Sequence, residues 1–248
     1  MCRIRRPRIS SRMDKEMTKR VVREAGLPIV SYISLKHELW KKEKESSARR
    51  IPKELGYPVF VKPANLGSSV GVHKVKEPSA LNAALEDAFR YDTKVLVESA
   101  VNAREIEVSV LENPDAGADP LVSVAGEINP THEFYSYEAK YLDDKGATLI
   151  IPAKLSLEQT KCVQDIARKA FLAVECDGMA RVDLLLDRTS GKFFFNELNT
   201  IPGFTSISMY PKLWEASGIS YKELLSRLVD LAISRHEKKK VLVREFRS

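Results

Sequence analysis

The sequence predicts an α+β protein built on antiparallel sheets, and three observations lead there. Strand-like segments outnumber helical ones. They also follow one another directly, as "KVLVES", "EIEVSVL" and "PLVSVAGEI" do, and as "GMARVDLLLD" and "KFFFNELN" do around a polar "RTSG" turn. A doubly wound parallel sheet would instead alternate strand with helix along the chain.

Taken in order, residues 14–26, "DKEMTKRVVREAG", read as a helix with Asp14 as N-cap and Gly26 as its stop. A strand-like "LPIVSYI" follows, then a highly charged stretch from 36 to 54, broken by Ser46 and Ser47, that reads as an exposed helix or a loop plus helix. "YPVFVKP" is a short apolar strand, "ANLGSSVGV" a glycine and serine loop, and 79–91 a helix with apolar residues at helical spacing. The three consecutive strands come next. A long helix fits 156–174, the strand pair around "RTSG" follows, and a last helix lies near 220–235.

With 248 residues, 44% of them hydrophobic, the chain can bury a proper core. No apolar run approaches the roughly 20 residues of a membrane helix, and no apolar segment follows the N-terminal arginines as in a signal peptide. A cytoplasmic protein is expected. Cys2, Cys162 and Cys176 are widely spaced and form no C-x-x-C pair, so free thiols are expected. The net charge of +6 is not spread evenly: residues 1–12 carry +5 and residues 235–247 carry +4, leaving −3 for the body. Charge runs at termini are usually solvated, so neither a nucleic-acid nor a membrane partner is expected. His37, His73, His132 and His236 share no spacing and read as surface residues.

The chemistry gathers in "FFFNELNT", residues 193–200, where an apolar strand carries a carboxylate and a carboxamide. Residues i and i+2 of a strand share a face, about 7 Å apart. Glu197 and Asn199 therefore point the same way, as do Arg181 and Asp183 on the preceding strand. If the strands pair through the turn at 187–191, Asp183 approaches Glu197 and Asn199, and three oxygen donors converge as a hard cation such as Mg²⁺ requires. The alternative is structural: Glu197 pairs with Arg181, and Asn199 caps a turn. The loop "VKPANLGSSVGV" favours the first reading, because Gly67 and Gly71 admit close backbone approach, Ser68 and Ser69 offer donors to phosphate oxygens, and Lys62 adds a charge at the base. Its spacing is neither that of a Walker A loop nor that of a Rossmann turn.

"MDKEMTK", "VKPANLGSSVG", "FYSYEAKY", "ARVDLLL" and "NELNTIPGFTSISMYP" together resemble, in order and spacing, the motifs of D-alanine:D-alanine ligases of the ATP-grasp superfamily. The resemblance runs from about Met13 to the C-terminus. It implies an ATP-grasp fold in which two α+β subdomains hold nucleotide between antiparallel sheets, with 1–12 a basic tail outside the family pattern, 13–100 the central subdomain and 101–248 the C-terminal one. By motif, Lys15 and Lys62 would contact ATP phosphates, and the loop around Ser68, Ser69 and Gly71 would close over them. Glu98 to Val101 would bind adenine and Glu105 the ribose. Asp183, Glu197 and Asn199 would hold two Mg²⁺ or Mn²⁺ ions, Arg181 and the Gly203 amide would stabilise the oxyanion, and Ser208 and Met209 would line the second amino-acid site. Lys140 and Tyr141 would lie in the mobile covering loop, where Ser136 stands in place of a common aspartate.

The implied reaction joins two D-alanines through an acyl phosphate for peptidoglycan precursors, in a family whose full-length members are expected to be homodimers. The family's domain before the "MDK" motif is expected to be missing, and with it much of the first D-alanine site. The chain alone is thus expected to bind Mg²⁺-ATP with little dipeptide synthesis. A truncated nucleotide-binding pseudoenzyme and a D-alanine:D-lactate ligase are the alternatives, and the tyrosine of "YEAKY" favours the dipeptide enzyme.

Overall fold

The computed structural model describes residues 14–115, 117–130 and 147–242. The expectations for the basic tail, Cys2, His132, Ser136, Lys140 and Tyr141 lie outside these residues.

Helix α1 (Lys15–Glu24) opens with the Asp14 carboxylate accepting from the Met17 amide at 3.1 Å, and the chain turns out of it at Gly26 with φ +76°. Strand β1 (Tyr32–Lys36) then leads into the charged segment, which forms two short helices, α2 (His37–Lys42) and α3 (Lys44–Leu55). These are covering, but α2 buries Trp40, and α3 buries Ser47 and Ile51. Strands β2 (Val59–Pro63), β3 (His73–Val75) and β4 (Lys94–Ser99), with helix α4 (Leu81–Ala88), complete the first unit. Its strands form an antiparallel sheet in the order β1-β4-β2-β3. One face, carrying Ile33, Val59, Val61, Val95 and Val97, packs with Trp40, Ile51, Leu85 and Phe89 in a single apolar core. The other face carries Lys62 and Glu98.

The second unit is a five-stranded antiparallel sheet in the order β7-β6-β5-β8-β9. Its strands are β5 (Ala103–Leu111), β6 (Leu121–Pro130), β7 (Ala147–Ile150), β8 (Met179–Asp187) and β9 (Phe193–Asn199). Helix α5 (Leu157–Ala173), started by a capping box between Ser156 and Gln159, covers one face. Its Val163, Ile166 and Phe171 pack on Ile106, Val108, Val182, Leu184, Phe193 and Phe195. On the opposite face, α6 (Met209–Ala216) and α7 (Tyr221–Lys240) pack near Leu111 and Met179 through Tyr210, Trp214 and Leu224, and α6 also covers Ile128 through Met209 and Leu213. Further along that face stand Glu107, Asp183 and Glu197.

The α+β architecture with antiparallel sheets is therefore as expected. The strands divide near residue 100, but α1 does not follow that division. Its Val22, with Leu27, is buried in the core of the larger sheet, and Pro28 accepts from the Phe195 amide at 2.8 Å. Its polar face turns to the smaller sheet, where Lys94 reaches Asp14 at 2.5 Å and Glu16 at 2.8 Å. The 13–100 unit thus lends its first helix to the other core. Among the described residues, no helix is long and apolar enough to cross a membrane.

Candidate functional site

The polar end of the larger sheet is assembled by register. Glu107, Asp183 and Glu197 stand abreast on β5, β8 and β9, and Ser109, Arg181 and Asn199 form the next row. Directly opposed residues of an antiparallel pair share a face, so all six point to one side. That Glu197 and Asn199 face this way, while Phe193 and Phe195 face the core, depends on a bulge. Asp183 pairs with Glu197 but Leu184 pairs with Phe195, so Asn196 is the extra residue. It reverses the in–out phase of β9 midway, and burial follows: Phe193, Phe195 and Leu198 are buried, whereas Asn196, Glu197 and Asn199 are half-exposed.

The Arg181 guanidinium grips the Asp183 carboxylate with two bonds of 2.7 Å, and its Nε lies 3.1 Å from Glu107. Burial opposes its charge, but Asp183 and Glu107 hold its pKa well above the ordinary arginine value. Asn199 Nδ2 donates to Asp183 Oδ2 at 3.0 Å and to Glu197 Oε1 at 3.5 Å. Glu197 lies 3.4 Å from Lys15, and its charge also supports that of Arg181. Among the described residues, no three His, Cys, Asp or Glu side chains converge closely enough to hold a metal ion. The candidate set is two carboxylates and a carboxamide, whose all-oxygen chemistry suits a hard cation that keeps part of its water shell.

Facing this row across a cleft of about 170 Å³ are Lys15, Leu66 and Gly67, with Asn196, Glu197 and Asn199 on the other wall. Lys15 is placed by its own amide, which donates to Ala64 at the end of β2 (2.8 Å), and its ammonium also donates to the Leu66 carbonyl. The loop beyond is conformationally unusual. Ser68 and Ser69 have φ of 54° and 59°, and Gly71 has φ 66°, a left-handed run that side-chain-bearing residues rarely adopt. A Cβ on Gly71 would come within 2.5 Å of the Tyr91 ring.

Beneath the cleft, Lys62 on β2 meets Glu98 on β4 at 2.6 Å, and Lys19 on α1 meets the same carboxylate at 3.1 Å. Burial alone would raise the Glu98 pKa, but the two ammonium groups pull it down to about 2. Burial works against charge on Lys62 as well, yet Glu98 raises its pKa overall. Lys62 also reaches Asn196 Oδ1 at 3.4 Å, touching the bulge of the opposite sheet.

The structure therefore lines one cleft with Lys15, Gly67, Glu197 and Asn199; Asp183 and Arg181 connect to it through Asn199, and Lys62 through Asn196. Val101 lies in the link from β4 to β5 and Glu105 on β5, where the chain crosses between sheets. Gly203 and Ser208 lie together on the loop after β9: a Cβ on Gly203 would stand 2.8 Å from Ser208 Oγ, itself fixed by the Thr205 amide at 3.0 Å. Two side chains point elsewhere. Glu98 is enclosed by its lysines at 1% exposure, and Met209 packs in a core with Ile128 and Leu213, against Gly126. Sequence reasoning passed over Lys19, Glu107 and Asn196. Lys19 lies one helical turn from Lys15 and so carried a periodicity signal, whereas Glu107 is placed only by its pairing with Asp183. The bulge at Asn196 carried none.

A family model described as the D-ala D-ala ligase C-terminus matches residues 21–230. Among curated relatives, the chain is 54% identical over 238 residues to D-alanine–D-alanine ligase A of Bradyrhizobium diazoefficiens, covering 95% of this chain and 63% of the relative. It is 49% identical over 227 residues to the D-alanine–D-alanine ligase of Heliobacterium modesticaldum, covering 92% and 61%. Among solved structures, the D-alanine–D-alanine ligase of Coxiella burnetii superposes with a TM-score of 0.80 at 39% identity, over 95% of this chain and 60% of that one. The VanG D-Ala:D-Ser ligase of Enterococcus faecalis gives 0.77 at 34%, over 88% and 61%. The chain thus spans about 60% of the length of the relatives it matches. Its two antiparallel sheets with a polar cleft between them are the ATP-grasp architecture, and the chain belongs to the D-alanine–D-alanine ligase family through that family's C-terminal part.

Proposed function

We propose that this chain carries the nucleotide-gripping and oxyanion-stabilising parts of an ATP-dependent D-alanine:D-alanine ligase that serves peptidoglycan precursor synthesis in the cytoplasm. The observation that carries the reading is a cleft lined by Lys15 and Gly67 on one side and Glu197 and Asn199 on the other, with Asp183 and Arg181 bonded behind Asn199 and Lys62 against Asn196.

The reaction has two steps. A D-alanine carboxylate attacks the γ-phosphate of ATP, giving an acyl phosphate and ADP. The amine of a second D-alanine then attacks the acyl carbon, phosphate leaves, and the amine proton is lost. Both steps develop negative charge in the transition state, and preorganised positive groups lower such barriers most. Lys15 and Lys62 neutralise phosphate oxygens, and the amides and hydroxyls at Ser68, Ser69 and Gly71 donate to them. Asp183, Glu197 and Asn199 would hold a hard cation such as Mg²⁺ or Mn²⁺, which would supply neutralising charge to the phosphates. Arg181 and the Gly203 N–H stabilise the tetrahedral oxyanion, and loss of one such donor costs on the order of a hundredfold to a thousandfold in rate. Glu98 to Val101 and Glu105 hold the nucleoside, Glu98 through its backbone because its carboxylate is engaged. Ser208 and the backbone at Met209 border the second amino acid.

The test is a titration with a non-hydrolysable ATP analogue beside a coupled ADP assay. Saturable binding that needs Mg²⁺ or Mn²⁺, with little D-alanine-dependent ADP release by this chain alone, is expected. Metal-independent binding would contradict the reading.

A further inference from the structure

Glu98 is one carboxylate held by two ammonium groups that come from different elements. Its Oε2 is 2.6 Å from Lys62 on β2 and its Oε1 is 3.1 Å from Lys19 on α1. The two lysines are not equivalent in reach. Lys62 keeps 15% side-chain exposure and touches Asn196 across the cleft, whereas Lys19 is 1% exposed. A buried ammonium is costly to keep, so its presence beneath the cleft calls for a reason.

We propose that Lys19 is a positioning residue that releases Lys62 to the nucleotide phosphates by holding Glu98 in its place. The proposal rests on the nucleotide reading above and adds a residue and a mechanism to it. Without Lys19, Glu98 is a buried carboxylate with Lys62 as its nearer cation, and drawing Lys62 toward a phosphate leaves that carboxylate uncompensated. With Lys19 present, whose charge burial opposes and Glu98 supports, Glu98 keeps a partner at 3.1 Å when Lys62 moves. The site then presents one net positive charge to an incoming polyanion. Lys19 also ties the exchange to the fold, because α1 is fixed in the core of the larger sheet through Val22 while Glu98 and Lys62 belong to the smaller one.

The experiment measures affinity of the full chain for an ATP analogue and for adenosine, with Mg²⁺ present, in the parent, Lys19→Met, Glu98→Gln and the double variant. Lys19→Met is expected to weaken the ATP analogue by about ten- to a hundredfold, the order of cost of leaving a buried polar group uncompensated, and to leave adenosine unchanged. In the Glu98→Gln background the same substitution should have almost no effect, since there is no carboxylate left to recapture Lys62. Lys19→Gln, which keeps a donor without the charge, gives the same two readings if the methionine variant does not fold. Unaltered affinity of the Lys19 variants, or an equal loss with and without Glu98, overturns the proposal; the latter would make Lys19 a direct phosphate contact or a purely structural one. A parent that binds no nucleotide would overturn the nucleotide reading itself.

Discussion

At the scale of single residues, the site is a set of carboxylates that each already have a cation. Asp183 has Arg181, Glu197 has Lys15, and Glu98 has Lys19 and Lys62. Removing a charge on one side of a buried pair leaves the other uncompensated, which typically costs about 3–5 kcal/mol. Glu98→Gln strands two buried ammonium groups, so denaturant unfolding should show a loss of roughly 3 kcal/mol, and Lys19→Met added to it should return part of that loss. The same pairing sets a pH dependence. Glu98 has a depressed pKa of about 2 in the folded protein against an ordinary value of 4.5. Its contribution to stability is therefore complete above the ordinary value and is lost as pH falls toward 2. Melting temperature measured between neutral pH and pH 3 should fall less for Glu98→Gln than for the parent. An equal fall in both would show that other carboxylates carry the acid sensitivity.

At the scale of elements, the decisive feature is the bulge in β9. The side-chain period of a strand is two, so one inserted residue moves everything beyond it to the other face. Deleting Asn196 should send Glu197 and Asn199 toward α5 and bring Leu198 to the polar face. Loss of cooperative melting, or a folded protein with no metal-dependent nucleotide binding, is the expected outcome; a deletion variant that binds like the parent would refute the phase argument. This is also where sequence legibility ended. The cap at Asp14, the antiparallel strand succession and the shared face of Glu197 with Asn199 were all readable, because each depends on residues near in sequence. The bulge was not, because register is defined by the partner strand. Strands β3 and β7 are too short for periodicity to mark. Helix α6 carries Pro211 in its first turn, where proline is tolerated, and no helical signal in "MYPKLWEA" distinguished it from the loop before it. Glu107 was hidden by its context: within "EIEVSVL" it read as one more strand residue, and only pairing with Asp183 revealed its place beside Arg181.

At the scale of the whole molecule, two antiparallel sheets meet along α1, whose apolar side is built into one core and whose charged side lies against the other sheet. The cleft exists because those attachments hold Leu66 and Gly67 of one unit opposite Glu197 and Asn199 of the other. Motif spacing told which residues share chemistry, but only the packing of α1 told how the two groups are brought face to face. The most direct measurement of this arrangement is isothermal titration of the chain with an ATP analogue, with and without Mg²⁺, in the parent and in Glu197→Gln. Saturable, Mg²⁺-dependent binding is predicted for the parent. The Glu197→Gln variant should lose the Mg²⁺-dependent part, with circular dichroism unchanged. Equal Mg²⁺-dependent affinity in the two proteins, or no binding by a folded parent, would contradict the account.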